Sequence, residues 1–348
     1  MQLPGMPLQK EANMSINVDR ARGALYGQAI GDALGIAGEF KGPKLLAAKY
    51  GTGPIEYERV SRQNGSTWEP GEWSDDTEQA LCILDAWIEE GGDLSPDGVS
   101  LAKEFLRWAE TNGKGMGNHT WNVLSSGMYS LDPIAIAKDV WERSGKNSAA
   151  NGAVMRTSVV GILDPLDLAR TETLAITAAR VTHYDPRCVA GAVAVSTTIA
   201  ALVSGMEVGT ALLVGQHAGQ KYDPEVAKYA RMSLEDLDLA EGMEGSNAVR
   251  RPPIGYTYKC MGAGFWALRQ AHSEVLADHY GQQPIKPLPV FREVLQRVIL
   301  AGGDTDTNGA VAGAMMGAFF GFDGLPEDLV VGLHDREQLD RRLAALGY

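Results

Sequence analysis

Glycine recurs at every fourth position from Gly23 to Gly35, within a segment whose other residues have the pattern of a helix. Asp19 can cap that helix, and small apolar residues follow at helical spacing: Ala21, Leu25, Ala29 and Ala33. Each glycine destabilises an isolated helix by up to about 1 kcal/mol, a cost that is tolerable where another backbone must come very close. The segment therefore predicts a helix that packs tightly against a neighbour.

Helical patterns also cover most of the remaining chain. Further helices are predicted at 77–90, 98–110, 133–142, 167–181, 189–203, 224–231, 262–272, 291–299 and 309–320. The best strand candidate is 55–60, and neither a series of alternating strands nor a fixed-period repeat is visible. The loop 241–253 has apolar helices on both sides and predicts no domain boundary. We therefore predict one all-α domain over residues 19–348, preceded by a flexible arm over residues 1–18.

The net charge and the hydropathy of the chain argue against two kinds of binding partner, nucleic acid and membranes. The chain has 348 residues with 31 basic and 44 acidic side chains, which gives a formal charge of −13. This charge disfavours nucleic acid and anionic membranes, since both are bound through basic surfaces. The two most apolar stretches, 188–203 and 310–322, are shorter than about 20 residues and contain glycine, so they predict buried core helices.

The cysteines and the N-terminal residues indicate the cellular compartment of the protein. Three scattered cysteines, Cys82, Cys188 and Cys260, match neither a disulfide framework nor a thiolate zinc site, and they predict reduced thiols. The first residues have no apolar run behind a basic start, so we expect no secretory signal. The predicted location is cytoplasmic.

Two acidic clusters stand directly before predicted helices. One is Ser74-Asp75-Asp76-Thr77 and the other is Asp304-Thr305-Asp306-Thr307-Asn308. Asp, Ser and Thr are ordinary helix caps, but a cap uses one such residue, whereas each cluster has two aspartates. If the clusters meet, two carboxylates about 4 Å apart repel by roughly 4 kcal/mol at an effective dielectric of 20, so they need protons or cations.

The ligand types narrow the choice of metal without proving that one binds. Oxygen ligands with no Cys or His nearby favour Mg²⁺, Mn²⁺ or Ca²⁺ over Zn²⁺. A pair of such ions can activate a water and hold a substrate oxygen. The residues alone leave two interpretations open, a metal site and a pair of helix caps.

Six short segments occur in one order along the chain and span residues 19–322. They are Gly31-Asp32-Ala33-Leu34-Gly35 with Glu39-Phe40, Ser74-Asp75-Asp76-Thr77, Asn151-Gly152-Ala153-Val154-Met155-Arg156, Thr182-His183-Tyr184-Asp185-Pro186-Arg187-Cys188, Gly255-Tyr256, and Gly303-Asp304-Thr305-Asp306-Thr307-Asn308. Each segment alone is weak evidence for a family, but six of them in this order are specific evidence. Together they resemble the ADP-ribosylglycohydrolase family, in particular its dinitrogenase reductase-activating type and the ADP-ribosylarginine hydrolases.

The resemblance implies a single-domain, all-α orthogonal helix bundle whose central cleft holds two Mg²⁺ or Mn²⁺ ions. The metal ligands that it implies are Ser74, Asp75, Asp76, Asp304, Asp306 and Thr307. It also implies that Glu39 lies near the metals on a flap. The alternative for Glu39 is an ordinary surface acid.

A second set of residues is implied to contact ADP-ribose: Gly117, Asn118, Ser148, Asn151, Gly152, His183 and Tyr256. Loop glycines allow backbone amides to approach a pyrophosphate, and Tyr256 is expected to stack on the adenosine. The alternatives are turn geometry for the glycines, a structural hydrogen-bonded role for His183 and core packing for Tyr256. Arg156 and Arg187 are predicted to be structural, pairing with buried carboxylates or helix ends.

The sequence departs from the family pattern at three places. Many bacterial relatives carry Asp-Ile-Gly-Asn where this chain has Gly115-Met116-Gly117-Asn118. In the family that aspartate is a candidate base in the opening of the ribose ring, and no residue of this sequence obviously takes its place. Gly262 stands where an acidic residue is usual. The arm at 1–18 precedes the usual start of the family and is a candidate contact for a cognate ADP-ribosyltransferase, with a disordered tail as the alternative.

These features predict a metal-dependent hydrolase that removes ADP-ribose from modified protein side chains. ADP-ribosylarginine is the first choice, because the segment from His183 to Cys188 resembles the arginine-directed branch. In the implied mechanism, a water positioned by two metals attacks the anomeric carbon of the distal ribose, and Asp304, or else Glu39, orients the water or takes its proton. Two alternatives stay open: hydrolysis of another linkage, such as ADP-ribosylserine or O-acetyl-ADP-ribose, and a catalytically silent relative that binds ADP-ribose or a partner protein.

Overall fold

Helices form nearly all of the regular structure in the computed structural model, which describes residues 15–62, 65–243, 253–280 and 287–348. The α-helices of these residues are α1 (Val18–Gly35), α2 (Pro43–Tyr50), α3 (Asp75–Glu89), α4 (Val99–Thr111), α5 (Asn118–Leu124), α6 (Pro133–Arg143), α7 (Val160–Leu163), α8 (Leu168–Arg180), α9 (Pro186–Val203), α10 (Val208–Gln220), α11 (Val226–Tyr229), α12 (Leu234–Leu237), α13 (Thr257–Tyr280), α14 (Pro287–Leu300), α15 (Thr305–Phe320), α16 (Glu327–Gly332) and α17 (Glu337–Ala345). Within the same residues, the strands β1 (Val60–Ser61) and β2 (Thr67–Trp68) form one antiparallel hairpin. The prediction of an all-α fold is confirmed.

Helix α1 packs against α15 through glycine on both sides, an arrangement that we call the glycine interface. A methyl group added to Gly23, Gly27 or Gly31 would overlap the carbonyl oxygen of Gly317, Gly313 or Gly309, respectively. Because the α1 numbers rise while the α15 numbers fall, the two helices run antiparallel. Only glycine lets two backbones approach this closely, so the predicted tight packing is confirmed and its partner is α15.

The start of α1 differs from the prediction. Asn17 and not Asp19 caps the helix, since the Asn17 side chain accepts a hydrogen bond from the backbone N–H of Arg20 at 3.0 Å. Asp19 lies in the first turn and accepts from the backbone N–H of Asp323 instead. The backbone N–H of Asn17 also donates to Val203, so residues 17 and 18 of the predicted arm belong to the helix start. Residues 1–14 of that arm lie outside the described residues.

Each predicted helix overlaps an observed one, but several observed helices were not predicted. The helix that the sequence analysis missed most clearly is α10, whose glycines weaken its helical pattern. Gly215 and Gly219 lie against the backbone carbonyls of Ala194 and Ala190 on α9, so packing and not propensity accounts for them. Helices α2, α5, α7, α12, α16 and α17 were not predicted either, and each of them has nine residues or fewer.

The predicted strand at 55–60 is wrong for all but its last residue. Val60 pairs with Trp68 in the short hairpin, whereas Ile55 is buried outside any strand and donates its backbone N–H to the Gln296 side chain at 3.2 Å. Alternation alone does not make a strand where no second strand is available to pair with it.

The two most apolar stretches lie in the core, as predicted. Helix α9 is long and apolar enough to cross a membrane by length and composition, but 89% of it is buried inside the fold. In α15 the residues from Ala310 to Ala318 are buried too. All three cysteines are free and buried.

Candidate active site

The two acidic clusters meet at one end of the glycine interface, and Asp32 of α1 joins them. The fully buried Asp32 carboxylate accepts hydrogen bonds from the backbone N–H groups of Ser74 (2.9 Å) and Thr77 (3.0 Å) and from the Thr77 hydroxyl (2.6 Å). On the other side, the Thr305 hydroxyl donates to the carbonyl of Gly35, the last residue of α1. The end of α1 therefore holds the starts of both α3 and α15.

Capping does not account for the paired aspartates. Ser74 caps α3, with its hydroxyl oxygen 3.4 Å from the backbone nitrogen of Asp76, and it donates to a carboxylate oxygen of Asp76 at 2.9 Å. Asp304 stands at the cap position of α15 but makes no capping hydrogen bond. In the described part of the chain, the other Asp76 oxygen (Oδ1) is buried with no hydrogen-bond partner. A buried carboxylate oxygen without a donor is costly, which favours the metal interpretation over two caps.

Glu39 completes the second half of the site. One carboxylate oxygen each of Glu39, Asp304 and Asp306 lies within 4.8 Å of the other two. Two backbone hydrogen bonds hold the Glu39 loop there: Phe40 N–H to the Gly303 carbonyl (2.9 Å) and Gly303 N–H to the Lys41 carbonyl (3.0 Å). Gly303 has a φ of 81°, so a residue with a side chain would be strained at this contact. We call the six acids of both halves the acidic cluster: Asp32, Glu39, Asp75, Asp76, Asp304 and Asp306.

Burial raises the pKa of four acids of this cluster: Asp32, Asp75, Asp76 and Asp304. Burial, followed by the Asp306 and Asp32 carboxylates, raises the pKa of Asp75 to about 8. Burial is also the main reason that the pKa of Asp32 rises to about 7. The pKa values of Asp76 and Asp304 are raised well above the usual range by burial and by neighbouring carboxylates. Such shifts arise where anionic groups share a site that a cation can neutralise.

The residues therefore fit divalent metal binding. The donor set is entirely oxygen, it is anionic, and it includes the unpartnered oxygen of Asp76. Hard cations such as Mg²⁺, Mn²⁺ and Ca²⁺ bind to such sets. Ser74 and Thr307 are buried beside the aspartates and can add hydroxyl ligands.

Asn151 connects the acidic cluster to the predicted ligand residues. Its side-chain amide donates to Asp304 at 2.7 Å, and its backbone N–H donates to the Gly255 carbonyl at 2.9 Å. A methyl group on Gly255 would lie 3.5 Å from both Asn151 Oδ1 and Asp304 Oδ2. A residue predicted to bind substrate is thus in direct contact with a predicted metal ligand.

His183 lies beyond Asn151 in a buried pair with His119. The two ring centroids are 4.5 Å apart, and a methyl group on Gly152 would lie 2.9 Å from His183 Nε2. The Ser148 hydroxyl is 2.8 Å from His119 Nδ1. Burial lowers the pKa of both histidines, that of His183 well below the usual value, so the pair is neutral at neutral pH.

Gly117, Asn118 and Tyr256 lie at the margins of this arrangement. Gly117 caps α5 and Asn118 begins it, and both are exposed. Tyr256 is half-buried, with its ring edge against Tyr229 (5.8 Å) and Tyr258 (5.6 Å), so part of its surface serves core packing.

The structure explains two of the departures from the family pattern. Gly115 has a φ of 95°, and a methyl group there would overlap a carboxylate oxygen of Asp75, so the backbone itself fills this position. Gly262 packs against the Leu237 side chain and the Tyr229 carbonyl, which leaves no room for an acidic side chain. Neither glycine offers a replacement for a missing acid.

The two arginines are structural in different ways. Arg187 pairs with Asp185, Nε to Oδ1 at 2.9 Å and Nη2 to Oδ2 at 2.7 Å, as predicted. Arg156 contacts no carboxylate among the described residues, and it donates to the carbonyl of Ala178 near the end of α8.

Sequence reasoning missed three residues at the site: Asp32, Arg62 and His119. Asp32 carries a signal, since it is an isolated acid among the small and apolar residues of the glycine-rich helix. Arg62 forms an ion pair with Glu39, and His119 contacts His183, but nothing in their local sequence indicates either contact.

Comparison with known proteins gives the same fold and family. Residues 13–347 match the ADP-ribosylglycohydrolase family model. A solved structure described as an ADP-ribosylglycohydrolase-related protein complex shares the fold, with a TM-score of 0.55, 24% identity and coverage of 94% of this chain and 97% of that one. Among curated relatives, the uncharacterized protein YegU of Escherichia coli (strain K12) is 29% identical over 93% of this chain and 95% of its own.

Two further relatives have named activities. The ADP-ribosyl-[dinitrogen reductase] glycohydrolase of Rhodospirillum rubrum is 24% identical over 94% of this chain and 97% of its own. The ADP-ribosylarginine hydrolase Tri1 of Serratia proteamaculans (strain 568) is 23% identical over 96% of this chain and 80% of its own. The fold and the family model together define the class as the all-α ADP-ribosylglycohydrolases. The chain belongs to the ADP-ribosylglycohydrolase family, which confirms the resemblance inferred from its motifs.

Proposed function

We propose that this protein is a metal-dependent hydrolase that removes ADP-ribose from modified protein side chains, with ADP-ribosylarginine as its first substrate. The observation that carries the proposal is the contact between Asn151 and Asp304, at 2.7 Å, because it joins the acidic cluster to the predicted ligand residues. A site for ADP-ribose and a site for metal ions are thereby continuous.

In this proposal, different residues of the chain bind the metal ions, fix the start of α3 and accept a proton. Ser74, Asp75, Asp76, Asp304, Asp306 and Thr307 would hold two divalent ions, with Asp32 fixing the start of α3 behind them. Ions bound there would supply positive charge for oxygens of the distal ribose and of the attacking water. Asp304, as a carboxylate, orients the water and takes its proton, since Asn151 fixes one of its oxygens.

The reaction balances as a hydrolysis. The water oxygen forms a bond to the anomeric carbon while the bond from that carbon to the guanidinium nitrogen breaks. The electron pair of the broken bond stays on nitrogen, Asp304 takes one proton from the water, and the leaving nitrogen takes one proton from solvent. Asp304 then releases its proton to solvent, which restores the carboxylate. Glu39 is the second candidate for this proton, but Arg62 neutralises it.

The surroundings of Glu39 support arginine as the linked residue. The guanidinium group of Arg62 forms an ion pair with Glu39 and lies over the Trp68 ring at 4.8 Å and the Phe40 ring at 5.6 Å. A carboxylate flanked by aromatic rings is a favourable environment for a guanidinium group. If Arg62 is displaced, the same environment, next to the acidic cluster, can receive the guanidinium group of a substrate.

The test is release of ADP-ribose from substrates modified on arginine, serine or glutamate, each incubated with the protein and Mg²⁺. We expect the wild-type protein to release ADP-ribose from the arginine-linked substrate. The Asp304→Ala variant should release none from the same substrate. Preferential release from serine would replace the arginine assignment and keep the hydrolase. Binding of ADP-ribose with no release from any substrate would identify a silent binding protein.

A contact with a cognate ADP-ribosyltransferase, and a cytoplasmic location, complete the proposal. The candidate segment for that contact is the arm at residues 1–18, of which residues 1–14 lie outside the described residues. Deletion of residues 1–14 should leave hydrolysis of a small ADP-ribosylarginine substrate unchanged and weaken binding to the transferase. Loss of hydrolysis in a folded truncation would assign the segment to the active site.

A further inference from the structure

A fully buried arginine lies between the acidic cluster and the histidine pair. The guanidinium group of Arg156 donates to Gln79 Oε1 (2.7 Å), to the Ala178 carbonyl (3.0 Å) and to the Thr182 hydroxyl oxygen (2.6 Å). The ring of Phe105 lies 4.6 Å from it. Burial lowers the pKa of Arg156 only to about 10, so the group stays a cation that donates hydrogen bonds and accepts none.

This fixed polarity determines the direction of the next hydrogen bond. Because Thr182 Oγ1 accepts from Arg156, its single hydrogen is left for its other neighbour, His183 Nδ1, at 2.7 Å. Nδ1 must then accept, and a neutral imidazole that accepts at Nδ1 carries its proton on Nε2.

The opposite tautomer is disfavoured by burial. A proton on Nδ1 would make Thr182 accept twice and would leave the hydroxyl hydrogen without a partner in a side chain that is 0% exposed. An unsatisfied buried donor shifts an equilibrium by roughly tenfold or more. A protonated His183 would leave the same hydrogen unpaired, beside the charge of Arg156.

The other edge of the His183 ring, at Nε2, lies against Gly152, a predicted ligand residue. Within the described residues, no hydrogen bond reaches Nε2, and Gly152 leaves that edge open because a methyl group there would lie 2.9 Å from it. The neighbouring His119 has the same tautomer, since its Nε2 is 3.0 Å from the Thr182 carbonyl, which can only accept. Ser148 then donates its hydroxyl hydrogen to His119 Nδ1 and keeps only acceptor capacity for a ligand.

The other end of Arg156 has the same effect on the acidic cluster. Since Gln79 Oε1 accepts from Arg156, the amide nitrogen of Gln79 must face the opposite way. It donates there to Asp75 Oδ2 at 3.1 Å. One buried cation thus determines the hydrogen-bond direction at a predicted metal ligand and at a predicted ligand histidine.

We propose that Arg156 is a positioning residue that holds His183 in the Nε2–H tautomer through Thr182, so that His183 donates to an acceptor oxygen of the ADP-ribosyl group. The same guanidinium group orients Gln79 against Asp75. The ligand part of this proposal rests on the proposed function, whereas the tautomer part concerns the ligand-free protein.

The first experiment measures the tautomer directly. Long-range ¹H–¹⁵N NMR of the full-length, ligand-free protein with ¹⁵N-labelled histidine distinguishes a protonated from an unprotonated ring nitrogen, and His183→Gln assigns the signal. We expect an unprotonated Nδ1 and a protonated Nε2 for His183. A protonated Nδ1 in the wild-type protein overturns the proposal.

The variants test the role of Arg156. In Arg156→Met the Ala178 carbonyl is freed, so the Thr182 hydroxyl can donate to it and accept from His183. We therefore expect the proton of His183 to move to Nδ1. Thr182→Val should remove the preference even if Arg156→Met does not fold. Thr182→Ser, which keeps the hydroxyl, should retain the wild-type signal, and Thr177→Val, at a buried threonine inside α8, should not change it.

Calorimetry with ADP-ribose tests the ligand part. Arg156→Met and Thr182→Val should weaken binding about tenfold, and Thr177→Val should not. An unchanged tautomer in every folded variant overturns the role of Arg156, and an altered tautomer with unchanged affinity overturns the donor role of His183. A wild-type protein with the expected tautomer but no affinity for ADP-ribose would contradict the proposed function instead.

Discussion

Helices α1 and α15 contribute to two regions with opposite properties. Along their length, the glycine interface places backbone against backbone, with no space for a methyl group. At its end, Asp32 and Asp306 bring like charges together, and burial raises the pKa of Asp32 to about 7. The interface is a stabilising region that tolerates no added atom. The acidic cluster is a destabilising region that the interface holds together, so substitutions in the two regions should have different consequences.

The largest expected effect is loss of the fold when the interface is widened. Gly31→Ala would overlap the Gly309 carbonyl, and because the contact is between two backbones, no side chain can move to relieve it. We expect a loss of about 3 kcal/mol or more in the free energy of unfolding. Urea denaturation followed by circular dichroism measures it.

Gly209→Ala is the matched control for that substitution. Gly209 is an exposed residue of α10, and nothing lies within 4 Å of an added methyl group. Alanine there should raise the urea midpoint slightly, by about 0.5 kcal/mol in stability. Equal midpoints for the two variants would show that the interface is not a close backbone contact.

Substitution in the acidic cluster should remove activity and preserve the fold. Asp75→Ala and Asp304→Ala should each lower kcat/KM for an ADP-ribosylated substrate by about a thousandfold. Without metal, their stability should equal or exceed that of the wild-type protein, because each substitution relieves repulsion between carboxylates.

Glu90→Ala removes an exposed acid just beyond the other end of α3 and should change neither quantity. Activity assays at saturating Mg²⁺, combined with thermal unfolding in a chelator, give both measurements. Wild-type turnover in Asp75→Ala or Asp304→Ala would refute the metal site.

The cluster should also make stability depend on pH. Asp32 and Asp75 have pKa values of about 7 and about 8 in the folded protein, but about 4 when unfolded. Between those values the folded state binds more protons, so the stability of the metal-free protein should fall as pH rises from about 4 to about 8. Mg²⁺ replaces those protons, and its affinity should therefore rise with pH.

Melting temperatures between pH 5 and pH 8, with chelator and with Mg²⁺, test this dependence. Asp75→Asn should make the curve in chelator flatter. A melting temperature in chelator that rises over this range would mean that the acids are not held protonated by burial in the folded protein.

The smallest expected effect concerns the rim of the cluster. Arg62 occupies Glu39 and the adjacent Trp68 ring, so Arg62→Ala should free them for a substrate guanidinium group. We expect the KM for an arginine-linked substrate to fall about threefold to fivefold. Arg59→Ala, which removes a more exposed arginine paired with Glu69, should leave KM unchanged. A rise in KM for Arg62→Ala would show instead that Arg62 positions Glu39.

Local sequence determined most of the longer helices and the acidic character of the candidate site. The glycine period of α1, the paired aspartates at the starts of α3 and α15, and each of the six motifs are contained in a few consecutive residues. Helical periodicity and the ligand preferences of cations act at that range, so an all-α fold and an oxygen-only acidic site could be predicted without coordinates.

Only the tertiary structure showed which residues those features bring together. Asp32 meets Ser74 across 42 positions, Asn151 meets Asp304 across 153, and Arg156 reaches Gln79 across 77. The contact of the Asn17 backbone N–H with Val203, the packing of the glycine-bearing helix α10 and the hydrogen bond from Arg156 to Thr182 likewise join residues far apart in the chain. The physical reason is that a hydrogen bond or a close backbone contact depends on where two distant segments pack, and local propensity carries no information about that partner.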